Sequence, residues 1–510
     1  RGQQPSSPPG WALLRLPRTS WRACASSAMA GGKKGGGGGG AATDIKRVEK
    51  LQAVVLADTC ARKLRPATFD GPKALMPLAN SPLLEYTIEF LSSGGVEDVF
   101  IFACHGVEAI EAYVRAAAPR FAPAQLRVIS SRAPCYSAGD ALREVYEANV
   151  IQGDFVLVPG DVVTNLSLPA LLAAHRAARE ADKDTLMTVC TCRVPFGHRV
   201  VGSDDHALWA IDEATNRLLH YEPLPAGLVG PAAAADAGKA LAADGPPRVG
   251  VPAEVLQEVV ATGGCLSVRV DLLDTRIDVC THEVLTLLVD NFDWGQLRAH
   301  MLLSVLGSDI LGKTVHVHEM TVASVGGAAC GPFAARLHDW RTYGEVTADL
   351  LSRWVFPITP ESNILGSMDL VAGQPAFTPS EPPSPAFHPS DSAFSSLVAS
   401  AQRRASASTA AVTKAKIGMA GTSFKMARGN AYAEVDVSLA RSASVGVRVL
   451  LGGGSSVGAD ARVTRSVLGR RCAVGAHASV VDSVLWAGVT VGEGATVRGA
   501  VLCEGVVVAA

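Results

Sequence analysis

Between Leu439 and Val508 an aliphatic side chain returns at every fifth or sixth position: Leu439, Val445, Leu451, Val457, Val463, Leu468, Val474, Val480, Leu485, Val491, Val497, Leu502 and Val508. Glycine or another small residue commonly follows each of them. An amphipathic helix repeats every 3.6 residues and a half-buried strand every 2, so neither accounts for this spacing. A six-residue period fits a coil of triangular section, in which each aliphatic side chain fills an inner corner. Residues 431–510 are therefore expected to form a left-handed parallel β-helix, truncated at the end of the sequence given.

Upstream the rhythm is different. From Leu51 to about Val194 short apolar runs of strand length ("LQAVVLAD", "EDVFIFAC", "QLRVISS", "DFVLVPGD", "TLMTVCTCRV") alternate with helix-like segments. One of these, "SPLLEYTIEFLSSGG", carries a complete set of punctuation: Ser81 as N-cap, Pro82 at the first helical position and Gly94–Gly95 as the stop. Strand and helix in alternation predict an α/β domain with a mostly parallel, Rossmann-like sheet covered on both faces. "HALWAIDEATNRLLHYE" reads as an antiparallel hairpin turning at Glu213–Asn216, "DLLDTRIDVCTHEVLTLLVDNFDW" as strand then helix, and "TVHVHEM" as a further strand. The α/β domain is placed at 45–362, with an Ala/Gly/Pro-rich insertion at 225–252 expected to be disordered. Residues 363–430 lose all periodicity to Pro, Ser and Ala and read as a low-complexity linker.

Composition narrows the function classes. A net charge of -2 over 510 residues gives no strong pull toward nucleic acid or an anionic membrane. No apolar run approaches the roughly 18 residues of a membrane-spanning helix. Eleven cysteines are scattered without a CxxC pair, which suits reduced thiols in the cytosol better than a disulfide framework or a zinc site. Residues 1–44 are expected to be a disordered extension. For its first 28 residues two readings stay open: a targeting segment rich in Arg and Ser, or sequence lying upstream of a start at Met29.

The stretch "LADTCARKLRPATFDGPKALMPL", Leu56 to Leu78, follows the first strand, where an α/β domain usually binds phosphate. A phosphate loop is normally rich in glycine because its backbone N–H groups must approach the oxygens closely. Here the turn reads Asp58, Thr59, Cys60, Ala61, yet the Pro72–Lys73 pair downstream is intact. Two like unit charges about 4 Å apart repel by roughly 4 kcal/mol at an effective dielectric near 20. A carboxylate at Asp58 would thus weaken triphosphate binding by close to three decades.

A parallel α/β domain followed by a β-helix resembles the sugar-phosphate nucleotidyltransferase family, whose active members read approximately LAGGxGTRLxPLTxxxPKxLxP at this point. Leu56–Ala57, Leu64, Pro66, Thr68, Pro72–Lys73, Leu75 and Pro77 stand in the matching places, while the glycines fall on Asp58, Thr59 and Ala61. "VPGDVVTN" resembles the element that places a metal-binding carboxylate in active relatives, here Asp161. Further stretches, "NSPLLEYTIEFL", "DNFDW", "SDILGKTVHVHEM" and "RWVFPITPESN", are similar to the epsilon-subunit family of eukaryotic translation initiation factor 2B. That resemblance implies a subunit of the guanine-nucleotide exchange complex acting on GDP-bound initiation factor 2. It implies the gamma subunit and the other subunits as partners, a cytosolic location, and no direct contact with nucleic acid or membrane. In that family exchange activity resides in a separate C-terminal helical domain, so the expected contribution of this stretch is assembly and docking.

The same resemblance implicates an Asn-Phe pair, here Asn291–Phe292, in contact with initiation factor 2. From the residues alone two readings stay open: Phe292 is an exposed interface anchor, or Phe292 and Trp294 cap the core. Asp58, Lys73 and Asp161 are expected to mark a vestigial nucleotide or sugar-phosphate pocket. Asp161 would need a second carboxylate to hold Mg²⁺, for which Asp271, Asp274 and Asp290 are the candidates, and a turn-stabilising role is favoured over metal binding. Lys73 is either a phosphate contact or a surface residue behind a rigid proline. No catalytic residue, metal or cofactor is expected. The competing expectation is a working nucleotidyltransferase that forms a nucleotide-sugar.

Overall fold

The computed structural model describes residues 50–57, 62–69, 71–131, 135–194, 198–201, 205–224, 250–308, 310–320, 331–356, 358–360, 425–427, 429–434 and 436–510. The expectations for 1–44 and for most of 225–252 and 363–430 lie outside these residues, as does Asp58.

Seven strands form the central sheet: β1 Gln52–Leu56, β2 Asp98–Ala103, β3 Gln125–Ser130, β4 Phe155–Pro159, β5 Thr185–Arg193, β6 Leu272–Cys280 and β7 Thr314–Glu319. Their order is β7-β5-β6-β4-β1-β2-β3. β1 lies between β2 and β4, parallel to both, with Gln52 opposite Asp98 on one side and Phe155 on the other. β6 alone runs antiparallel to its neighbours. Successive residues of a strand point to opposite faces, so a strand buried on both sides must be apolar throughout. β1 shows this directly: Ala53 and Val55 enter one core, Val54 and Leu56 the other.

Three helices, α1 Leu83–Ser93, α2 Val107–Ala117 and α4 Leu168–Ala181, pack on the first face. On the second face lie α3 Ala138–Glu147, α5 Glu283–Asp290 and the segment Leu297–Leu306, whose first turn and a half is a π-helix. The expected hairpin is present as Ala207–Asp212 and Leu218–Pro223, with Asn216 at a left-handed φ of 57° in its turn. The start of α1 departs from the sequence pattern. Ser81 does not cap the helix; Ser81–Pro82 pairs antiparallel with Pro77–Leu78, and the helix begins at Leu83. Short-range capping preference yields there to a two-stranded ladder that anchors the segment after Lys73.

The C-terminal repeats form three parallel sheets, the faces of a left-handed β-helix. One aliphatic column runs Leu451, Leu468, Leu485, Leu502, a second Val457, Val474, Val491, Val508, and a third Val463, Val480, Val497. The first coil repeats after 18 residues, with Leu439 opposite Val457, but from Leu451 on equivalent positions of adjacent coils are 17 residues apart, so one side of each later triangle is a residue short of six. That shortfall explains the irregular five-or-six spacing. In the first sheet two adjacent apolar residues occur where one would fill the interior. Leu468 and Leu485 point into the coil, whereas Val467 and Val484 point outward against α6, Trp340–Leu351. Polar anchors join the same junction: Trp486 Nε1 donates to Tyr343 Oη (3.1 Å), Tyr343 Oη to Pro77 O, Tyr432 Oη to Leu351 O (3.2 Å) and Asn80 Nδ2 to Leu468 O (3.1 Å).

Stacking this close leaves no room at some positions. A Cβ on Gly469 would sit 2.6 Å from Ala487 N, inside the next coil. Gly469→Ala is expected to force the coils apart and lower unfolding stability by about 1–3 kcal/mol, read as a shift of the denaturation midpoint. An unchanged midpoint would show that the coils are not in this register.

Candidate functional site: a self-neutralised pocket and a braced aromatic turn

Two places on the α/β domain hold the residues singled out by the sequence. The first is the phosphate-loop side of the sheet. Pro72, in an extended conformation, leads into a single 3₁₀ turn at Lys73–Leu75, and Leu75 N–H closes it on Pro72 O at 3.0 Å. That turn directs Lys73 inward, so it is a buried residue and not a surface one. Asp161 follows the end of β4, and the next residues, Val162–Thr164, pair antiparallel with Ala334–Arg336. This pairing brings Arg336 alongside.

The result is a row of alternating charge. Lys73 Nζ donates to Asp161 Oδ2 with both side chains almost wholly out of water. Arg336 Nε lies 3.6 Å from the other carboxylate oxygen, and Arg336 Nη1 lies 3.9 Å from Asp205. Burial alone would raise the Asp161 pKa, but Lys73 and Arg336 outweigh it and hold the group at about 2. Burial lowers the Lys73 pKa from its usual 10.5, against the opposing pull of Asp161.

Two of the three candidates for a second metal-binding carboxylate are engaged elsewhere. Asp271 takes Arg269 at 2.8 Å and Arg193 at 3.0 Å, while Asp274 takes Arg298 at 2.7 Å and Arg276 at 3.0 Å. Asp290 is exposed at the end of α5. Among the described residues no group of three His, Cys, Asp or Glu side chains could hold a metal ion. Asp205 and Arg336 were not singled out by the sequence. They come from separate segments, and a lone Asp or Arg in a loop or short strand carries no signal of its partner.

The second place is the end of α5. Asn291 is its C-cap, with its N–H on Leu287 O at 3.0 Å and its side-chain amide on the same carbonyl at 2.9 Å. Trp294 N–H then closes a turn onto Asn291 O at 3.1 Å. The two open readings of this stretch divide between its aromatic residues. Trp294 is buried in the core, and Phe292 projects into solvent, 83% exposed. The turn rests on α3: Gly139 N–H donates to Gly295 O at 2.9 Å, and a Cβ on Gly139 would collide with Trp294 O. Sequence reasoning also missed Arg143 of α3, which contacts this turn only through the tertiary fold, and Asp140, which holds Arg143.

Comparison with known proteins follows from this architecture. Residues 53–244 match the family model for a MobA-like NTP transferase domain, and residues 428–510 match that for the EIF2B subunit epsilon LbH domain. The chain is 37% identical over 317 residues to translation initiation factor eIF2B subunit epsilon of Schizosaccharomyces pombe, covering 62% of this chain and 42% of that protein. The Dictyostelium discoideum protein of the same name is 34% identical over 322 residues, 63% of this chain and 41% of the relative. A UTP–glucose-1-phosphate uridylyltransferase from Synechocystis is 27% identical over 168 residues, 31% of this chain and 42% of that enzyme.

Fold and matches together define a nucleotidyltransferase-like domain joined to a left-handed β-helix. Within that class, the chain is similar to the epsilon subunits of translation initiation factor eIF2B, and residues 428–510 match the LbH-domain family of that subunit. It spans about two fifths of the length of the curated relatives that it matches.

The ion pair has a measurable consequence. Asp161→Asn leaves a buried ammonium without its counter-charge, which is expected to cost about 3 kcal/mol or more at neutral pH. Because the folded-state pKa of Asp161 lies below its ordinary value of 3.8, its contribution is full above about pH 4 and is lost as pH falls toward 2. The gap between wild type and Asp161→Asn should therefore close on acidification. Lys73→Met combined with Asp161→Asn should recover much of the loss, since removing both charges removes the unpaired one. Equal stability of wild type and Asp161→Asn at pH 7 would refute the pairing.

Proposed function

We propose that this chain is an assembly and docking subunit of the initiation factor 2B exchange complex, acting in the cytosol to promote GDP–GTP exchange on initiation factor 2. In this reading the α/β domain is a degenerate nucleotidyltransferase. Asn291–Phe292 contacts GDP-bound initiation factor 2, and the β-helix and sheet surfaces bind the gamma subunit and the other subunits.

The observation that carries the docking assignment is the exposure of Phe292 on a turn whose flanking residues are tied into the core. A large aromatic side chain held out in water is unfavourable for the isolated chain and supplies an interface anchor when covered. The competing reading, a working transferase, needs a cationic cradle for phosphate. Lys73 and Arg336 both spend their charge on Asp161 instead, and Arg336 also faces Asp205.

Truncating an aromatic anchor costs about 2 kcal/mol, roughly thirtyfold in affinity. Phe292→Ala should weaken binding of GDP-bound initiation factor 2 by that factor, and assembly with the gamma subunit should persist. Its melting temperature should barely move, because exposed substitutions change stability by no more than about 0.5 kcal/mol. Unchanged affinity would sink the docking assignment. With nucleoside triphosphate, sugar 1-phosphate and Mg²⁺, pyrophosphate release should stay below about 1 s⁻¹, the low end for ordinary enzymes. Faster turnover would restore the transferase reading.

A further inference from the structure

The carbonyls of the turn that carries Phe292 are gathered by one side chain of α3, and His300 Nδ1 accepts from Gly295 N–H at 3.1 Å at its far end. Arg143 Nε donates to Leu288 O at 2.7 Å, and Arg143 Nη2 reaches Asn291 O at 3.0 Å, Phe292 O at 2.7 Å and Trp294 O at 3.2 Å. Its remaining arm, Nη1, is fixed by Asp140 Oδ1 at 2.8 Å. Asp140 is in turn seated at the start of α3, where its N–H donates to the N-cap Ser137 Oγ at 3.1 Å.

The carbonyls at the end of a helix have no partner within it, and they form the negative end of its dipole. A guanidinium answers both needs at once, with five donors in a planar fork. Of the four carbonyls gathered here, one belongs to Asn291 just before Phe292, one to Phe292 itself and one to Trp294 two residues after it. The backbone on either side of the exposed ring is thereby fixed.

We propose that Arg143 is the positioning residue of this docking turn: it holds the Phe292 backbone in the conformation a partner meets, without itself being the contact. The inference rests on the docking role proposed for Phe292. A turn already ordered in the free protein loses less freedom on binding, so the brace acts on affinity through pre-organisation. Lysine keeps the charge but offers its donors from one point, so it cannot meet the three carbonyls around Nη2 and at the same time keep the contacts that Nε and Nη1 make with Leu288 O and Asp140.

The test uses the full chain with Arg143→Lys, Phe292→Ala and the double variant. Hydrogen exchange at the Asn291, Trp294 and Gly295 amides, all hydrogen-bonded in the turn, should accelerate about tenfold or more in Arg143→Lys while β1 and β4 amides keep their protection. Affinity for GDP-bound initiation factor 2 should fall about tenfold in Arg143→Lys. In the Phe292→Ala background, the added Arg143→Lys change should alter affinity less than about twofold, because no ring remains to be placed. Unchanged exchange at the turn would overturn the positioning role. So would a full tenfold further loss in the double variant, which would make Arg143 a contact in its own right. If Phe292→Ala alone leaves affinity intact, the docking role falls and this inference falls with it, even where the exchange result shows the turn to be braced.

Discussion

A lysine ammonium can be taken out of water only if something of opposite charge is waiting for it, and in this domain Asp161 is what waits for Lys73. Much of the surrounding architecture follows from meeting that demand. Asp161 sits at the end of a central strand, and the chain beyond it pairs with Ala334–Arg336, which brings a second cation to the same carboxylate. From Arg336 the chain runs directly to Asp339, whose side chain caps α6 by accepting from Thr342 N–H at 2.7 Å. α6 then carries Tyr343 to Trp486 of the β-helix. The Lys73–Asp161–Arg336 charge row and the domain junction are thus successive parts of one connected stretch, and its charges hold the scaffold together.

The turn proposed for docking shows the complementary principle, in which regular elements fix an irregular segment. α5 ends where its apolar stripe, Val284, Leu285 and Leu288, runs out against the core. Trp294 then returns the chain to the interior, and Phe292, between the two, is left outside. Arg143 and Gly139 of α3 hold the turn from below, one through its guanidinium and the other by having no side chain.

What could be read in advance was whatever depends on local repetition. The columns led by Leu451 and Val457 were visible as a period, and the strands Gln52–Leu56 and Phe155–Pro159 as unbroken apolar runs bounded by turns. The short side of the coils after the first was visible only as irregular spacing. The outward role of Val467 and Val484 was not, because nothing in the repeat says which helix will cover that face. Ser81 misled for a related reason, since its capping preference lost to a ladder with Leu78. In the pocket, Lys73 and Asp161 were each recognisable, but their mutual pairing was not, since they lie 88 positions apart. The partners Arg336 and Asp205, and the brace from Arg143, arise from tertiary placement alone. Charge pairing across the fold has no period, and single arginines are too common to announce it.

The central claim is that the pocket's cations are consumed internally, so that the fold serves as a platform and not as a nucleotide site. Titration calorimetry of the chain with Mg²⁺ and each nucleoside triphosphate, alone and with a sugar 1-phosphate, addresses it most directly. The account predicts no saturable heat up to millimolar ligand, the range where a site gives only about 4 kcal/mol of binding free energy. Saturation at one site per chain with a micromolar dissociation constant would contradict it.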